Sequence, residues 1–393
     1  MTQRTLNEIY EESKENYKKG SKKEKKEIID ILQKMTGMNR KSIIRKMNVI
    51  LRPKAKKQVL KRGRKRKYDD EVLIRFIIDL WKSTQYICSR RLRKAIPLWL
   101  PHYDKEFIPD DTKELLCRIS SSTIDRILSE QRKKYNRLNR ATTKPGSILK
   151  KHIPVHNNIW DSSIPGHVEA DTVAHCGESI AGSYAISVVM TDIATGWTEI
   201  RAVWGKGQRG VHKAIENIEL TLPFRLLGFD SDNGNEFLNH HLYSYFNKRD
   251  KPVSFTRSRP YQKNDNAHVE QKNWSIVRSY IGYGRFDKEI TVARMNDLYC
   301  SEFRIMMNYF IPSEKLLRKE RNQGRLYKVM SEAKSPYQKL RELLCLSENE
   351  LLYHQNIIDR SNPYKLMKII ERKIKAIYRD YYDMPPAEGE TNG

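Results

Sequence analysis

The chain has 393 residues with 74 Lys+Arg against 48 Asp+Glu, a formal net charge of +26, and 38% hydrophobic residues. That length predicts several domains, and its charged, interrupted apolar segments exclude an integral membrane protein. Five scattered cysteines without a CxxC pair argue against a disulfide framework. With no apolar leader after Met1, a cytoplasmic, nucleoid-associated location is expected.

The charge is unevenly placed. Residues 1–150 carry 40 Lys+Arg and 18 Asp+Glu, whereas residues 151–290 carry 16 of each. A basic amino-terminal part beside a neutral middle implies that one part holds a polyanion while the other acts on it. In chain order, residues 27–35 have helical apolar spacing, Thr36 to Arg40 form a Gly-containing turn, and Ser42 to Leu51 form a second amphipathic run. This is a helix-turn-helix pattern, with Lys41, Arg45 and Lys46 as candidate DNA contacts. A second pair is expected at 70–82 and 88–98, where Arg90 and Arg91 load the second helix. A third unit is expected around Ile119–Leu128, with capping serines and Arg126. Lys61 to Lys67 holds six cations in seven residues, so Arg62, Arg64 and Arg66 form an extended arm suited to the minor groove or to phosphates.

From His167 the periodicity changes to two. Strands are expected at 167–173, 183–190 and 197–204, then a helix at 209–222, a strand at 224–229, a helix at 240–247, a strand at 252–256 and a helix at 266–281. A three-strand meander followed by helix, strand, helix, strand and helix is the element order of a ribonuclease-H-like domain. Asp171, Asp232 and Glu270 fall on the first strand, just past the fourth, and on the last helix. Carboxylates from separate rigid elements are the hard-oxygen set that metal-assisted phosphoryl transfer needs. Asn266 and Asn273 share the helix face of Glu270. Arg257, Arg259, Lys263 and Lys272 are candidate phosphate clamps. Glu169 is a weaker ligand candidate, while Asp230 is expected to cap a turn and Glu236 a helix.

Three motifs carry a family resemblance: Glu169-Ala170-Asp171-Thr172, Ser231-Asp232-Asn233-Gly234-Asn235-Glu236-Phe237, and Lys263 to Asn273 around Glu270. They resemble the motifs of DDE transposases and retroviral-type integrases, above all bacterial insertion-sequence transposases with an integrase core. The 37 residues between Asp232 and Glu270 are close to the spacing usual there. The resemblance implies an RNase H-like α/β fold and a site of Asp171, Asp232 and Glu270 holding two Mg²⁺ (or Mn²⁺) ions. It also implies 3′-end nicking and strand transfer on double-stranded DNA, by an oligomer assembled on that DNA. Asn264-Asp265-Asn266 stand where many integrases have a glycine.

The expected organisation is a helix-turn-helix domain at 1–60, a basic arm at 61–68 and a second helix-turn-helix-containing domain at 69–140. A linker at 141–160, a mixed five-stranded catalytic core at 161–290 and a mainly helical extension at 291–393 follow. A tyrosine recombinase is disfavoured, because no histidine is followed by Arg three residues on. A nuclease without joining activity and a transposase-derived DNA-binding regulator stay open.

Overall fold

The computed structural model describes residues 9–51, 67–135, 163–232, 234, 236–257, 272–322, 325–343 and 346–382. The arm residues Arg62, Arg64 and Arg66, the linker at 141–160, and Arg259, Lys263, Asn266 and Glu270 lie outside them. The chain divides into two compact units, 1–66 and 67–393.

In the first unit, α1 (Lys14–Lys19), α2 (Lys22–Thr36) and α3 (Arg40–Leu51) enclose Tyr10, Tyr17, Ile29, Leu32, Ile43 and Met47. Ser21 and Glu24 form a reciprocal capping box that satisfies amide donors at the start of α2. Gly37, at φ 65°, ends that helix in the left-handed conformation that a Cβ disfavours. Helix, glycine turn and helix therefore follow one another at 22–51.

The second unit begins with α4 (Glu71–Ser83), α5 (Ser89–Trp99), α6 (Asp110–Arg118) and α7 (Ser121–Tyr135). Asp70 caps α4 through the Val72 amide and also accepts a hydrogen bond from Thr112 in the first turn of α6. Ser120 caps α7 through the Thr123 amide. These helices do not keep their core to themselves. Leu73, Phe76 and Trp99 share one apolar cluster with Met306, Phe310 and Ile370. The Trp99 indole donates to the Phe310 carbonyl at 2.9 Å, and Arg91 Nε to the Pro312 carbonyl at 2.6 Å. The apolar faces of these helices turn toward carboxyl-terminal residues.

The sheet comprises β1 (His167–Ala174), β2 (Ala185–Asp192), β3 (Thr198–Trp204), β4 (Gly228–Ser231) and β5 (Ser254–Arg257), in the order β3-β2-β1-β4-β5. The first three strands are antiparallel, and β4 and β5 run parallel to β1. Helices α8 (Gln208–Glu219) and α9 (His240–Asn247) occupy the expected places. The result is an α/β domain with a mixed five-stranded sheet and the expected element order. Alternation along β2 explains its complete burial: Ile186, Val188 and Met190 join the cluster of Val211, Ile215 and Phe246, whereas Ala185 and Val189 join the larger cluster.

The outer edge of β3 is closed by side chains. Asn308 accepts from the Thr198 amide and donates to the Thr198 carbonyl, both at 2.9 Å. Asn296, on α10 (Glu289–Leu298), does the same at Ala202, at 2.8 Å in each direction. The carboxyl-terminal part continues with α11 (Pro336–Leu343), α12 (Glu348–Arg360) and α13 (Pro363–Tyr382). It also contains an antiparallel hairpin, β6 (Leu316–Asn322) and β7 (Arg325–Met330), which the expectation of a mainly helical extension did not include. The exposed, charge-rich β6 lacks the apolar alternation that marks a strand in sequence.

Candidate active site

The parallel register of β1 and β4 sets the geometry. Glu169 lies level with Asp230, and Ala170 with Ser231, so the next residue along each strand direction is Asp171 and Asp232. Neighbouring strands are about 4.8 Å apart, which brings two acids 61 positions apart in the chain to the same level. Val168 and Phe229 turn into the cluster on the opposite face, so alternation directs Asp171 and Asp232 away from it.

Each acid is held by local donors. Asp171 Oδ1 accepts from the Thr172 amide at 2.7 Å, and its Oδ2 from Asn273 Nδ2 at 2.6 Å. Asn273 opens the π-helical segment Asn273–Arg278, and its Oδ1 is buried with no hydrogen-bond partner among the described residues. Asp232 Oδ1 accepts from the Gly234 amide at 3.0 Å. Burial raises the Asp232 pKa above the usual carboxylate value, and the nearby Glu236 carboxylate adds to that. The Gly234 amide and Lys206 oppose it.

Glu236 is a neighbour of this site rather than only the helix cap the sequence suggests. Its Oε1 accepts from Thr172 Oγ1 at 3.1 Å. A Cβ on Gly234 would lie 2.6 Å from the Glu236 carboxylate and 2.9 Å from Asp232 Oδ1, so a side chain there would displace one or both carboxylates. Asp230 is likewise not a turn cap: it is buried in β4 and accepts from Thr256 Oγ1 at 2.6 Å. The strand starts and ends later than expected, which moves Asp230 into the sheet. Glu169 is buried at 3% exposure.

Among the described residues, no three His, Cys, Asp or Glu side chains gather to hold a metal ion. The fit of a divalent cation rests on the donor set of two carboxylates in register, joined by an amide oxygen that has no donor among the described residues. Hard oxygen ligands with one side open suit Mg²⁺.

The other candidates disperse. Lys41 and Arg45 are exposed on α3, where Lys46 lies 5.1 Å above the Tyr10 ring. Arg90 pairs with Glu314 at 2.9 Å, and Arg126 is exposed on α7. Arg257 is only 7% exposed and lies level with Ser231, so alternation sets it on the face of Phe229 and Phe255, opposite the acid pair. Lys272 donates to the Gly196 carbonyl at 3.1 Å, and burial with the neighbouring Lys339 and Arg91 brings its pKa down to about 7. Lys339 was missed in the sequence, where a lone lysine on a helix carries no signal.

Fold and site together define an α/β protein whose mixed sheet presents two aspartates level on adjacent parallel strands. The chain belongs to the same family as the uncharacterized protein y4rM of Sinorhizobium fredii, with 36% identity over 328 residues, covering 82% of this chain and 91% of that one. No family model matches it. Among solved structures it is similar to the catalytic core domain of BIV integrase (15% identity, TM-score 0.28, covering 45% of this chain and 94% of that one). It is also similar to the HTLV-2 integrase catalytic core domain in complex with magnesium (14%, 0.28, 38% and 91%). A third is the simian T-cell lymphotropic virus intasome in complex with PP2A regulatory subunit B56 gamma (13%, 0.31, 59% and 70%). No helix among the described residues is long and apolar enough to cross a membrane.

Proposed function

We propose that the protein is a DDE-type DNA transposase, which binds the ends of a mobile element, nicks them at their 3′ strands and joins them to target DNA. The observation that carries this reading is the in-register pair Asp171 and Asp232, held on one side by Asn273. Glu270 precedes Asn273 by three residues and completes the proposed set. Asp171, Asp232 and Glu270 would hold two Mg²⁺ (or Mn²⁺) ions, which supply charge to sharpen the attacking oxygen and to stabilise the leaving one.

The chain's own residues do the positioning. Thr172 and Asn273 fix the two oxygens of Asp171, and the Gly234 amide fixes Asp232. The basic first unit and the arm after it would recognise the element ends, with Lys41 and Arg45 exposed for that contact. Joining two ends at once needs more than one active site, so the protein is expected to self-associate on DNA.

The test uses labelled element-end duplexes with Mg²⁺. Wild-type protein is expected to give nicked and then joined products. Asp232→Asn should keep end binding but lose at least about 100-fold in cleavage, since a neutral amide cannot replace the carboxylate ligand. Cleavage by that variant at the wild-type rate would refute the site. Nicks without joining would indicate a nuclease, and bound but uncut DNA a regulator.

A further inference from the structure

A cleft of about 860 Å³ lies in the second unit, lined by the turn between α4 and α5 and by the π-helical segment Asn273–Arg278. Its walls carry rings that the proposed chemistry does not use. Trp274 is 64% exposed, Tyr283 53% and Tyr86 43%, and the Arg278 guanidinium lies 4.8 Å from the Tyr283 ring centre. The turn that presents Tyr86 is strained: Gln85 and Tyr86 have φ of 54° and 61°, a region that side chains disfavour. Hydrogen bonds from the Gln85 amide to the Lys82 carbonyl and from the Tyr86 amide to the Trp81 carbonyl hold it. Such strain persists where the surroundings over-determine it, and it concentrates at ligand clamps.

The cleft shares Arg91, Lys272, Ser275 and Ser313 with a smaller recess to which Lys315 and Lys339 also contribute. Three of these cations rest on uncharged oxygens: Arg91 on the Pro312 carbonyl, Lys272 on the Gly196 carbonyl and Lys339 on Ser313 Oγ at 3.1 Å. Among the described residues Lys272, Lys315 and Lys339 have no carboxylate within ion-pair distance. The recess carboxylate Glu314 is engaged by Arg90. Burial and neighbouring cations bring the Lys339 pKa down to about 8, with the Glu314 carboxylate opposing them.

An apolar ligand would leave this charge unanswered, and a free anion would leave the rings unused. Paired DNA hides its base faces within the stack. An unpaired strand offers both π-faces and phosphates. We propose that the cleft holds an unpaired DNA strand end, with bases stacked on Trp274 and Tyr86 and a phosphate in the recess of Arg91, Lys272 and Lys339. This rests on the reading of the chain as a transposase: Trp274 follows Asn273, the residue bound to Asp171, so a strand held there would lie beside the acids.

The full-length protein, in buffer with EDTA, would be titrated into fluorescently labelled blunt duplex and into the same duplex with a short single-stranded tail of either polarity. Tailed duplex is expected to bind roughly tenfold tighter. Trp274→Ala, at an exposed position, should erase that preference without changing blunt-duplex affinity, and Trp274→Phe should restore most of it. Equal wild-type affinity for the two duplexes, or a preference that survives Trp274→Ala, overturns the proposal while leaving the transposase reading intact. Failure to bind any duplex overturns both.

Discussion

Asn273 uses one amide nitrogen to hold Asp171 and leaves its oxygen buried without a donor among the described residues, an arrangement that asks for water or a cation next to the acids. His175 is also buried, and its Nδ1 likewise has no hydrogen-bond partner among the described residues. Its Nε2 lies 2.8 Å from Ser187 Oγ, which lies 2.8 Å from the Tyr299 hydroxyl. Burial, with Arg278 nearby, brings the His175 pKa from the ordinary 6.5 down to about 3. Between those values the unfolded chain takes up a proton that the folded chain refuses. The contribution of the neutral ring is therefore whole above pH 6.5 and declines as pH falls toward 3. His175→Asn should be less stable than wild type at pH 7, and should lose less further stability between pH 6.5 and 4. Thermal midpoints across that range test this, and parallel pH profiles would contradict it.

At the scale of elements, the edge of β3 shows how the carboxyl-terminal helices are bound to the sheet. Asn308 and Asn296 pair with both backbone groups of Thr198 and of Ala202, as a further strand would, which blocks those ladder positions to another chain. Asn308 is fully buried and Asn296 half-buried. Asn308→Ala would strand both backbone groups of Thr198 and should cost about 2–3 kcal/mol, with a smaller loss for Asn296→Ala. Urea titration would show the order, and equal midpoints for both variants and wild type would refute the pairing. The strand pattern itself was largely legible, because period-two alternation is a local property of the chain. The β6–β7 hairpin was not: its exposed, charged strand resembles a loop until a partner strand is present.

At the scale of the whole molecule, most of the basic excess falls within one packing unit. Residues 1–66 hold 22 Lys+Arg and 7 Asp+Glu and form one unit, while all of 67–393 forms the other. The helices at 71–135 share a core with Phe310 and Ile370, which places them in the second unit. Deleting residues 1–66 is expected to leave the remainder folded, with unchanged unfolding, but to weaken DNA binding and flatten its salt dependence. Each lost phosphate contact reduces the log–log slope by about 0.9. Binding isotherms across a salt series check this, and an unaltered slope would argue that the first unit does not touch phosphates.

Alternation, caps and glycine turns are read from neighbours a few positions apart, so the order of strands and helices, the uneven charge and the singular acids Asp171 and Asp232 were available from the polymer alone. The proximity of Thr172 to Glu236, the bond from Asn273 to Asp171, and the gathering of Arg91, Lys272 and Lys339 join segments 64 to 248 positions apart. Only strand register and helix packing decide such contacts. A side chain's chemical partners are set by where the backbone finally places it, and no local pattern records that distance.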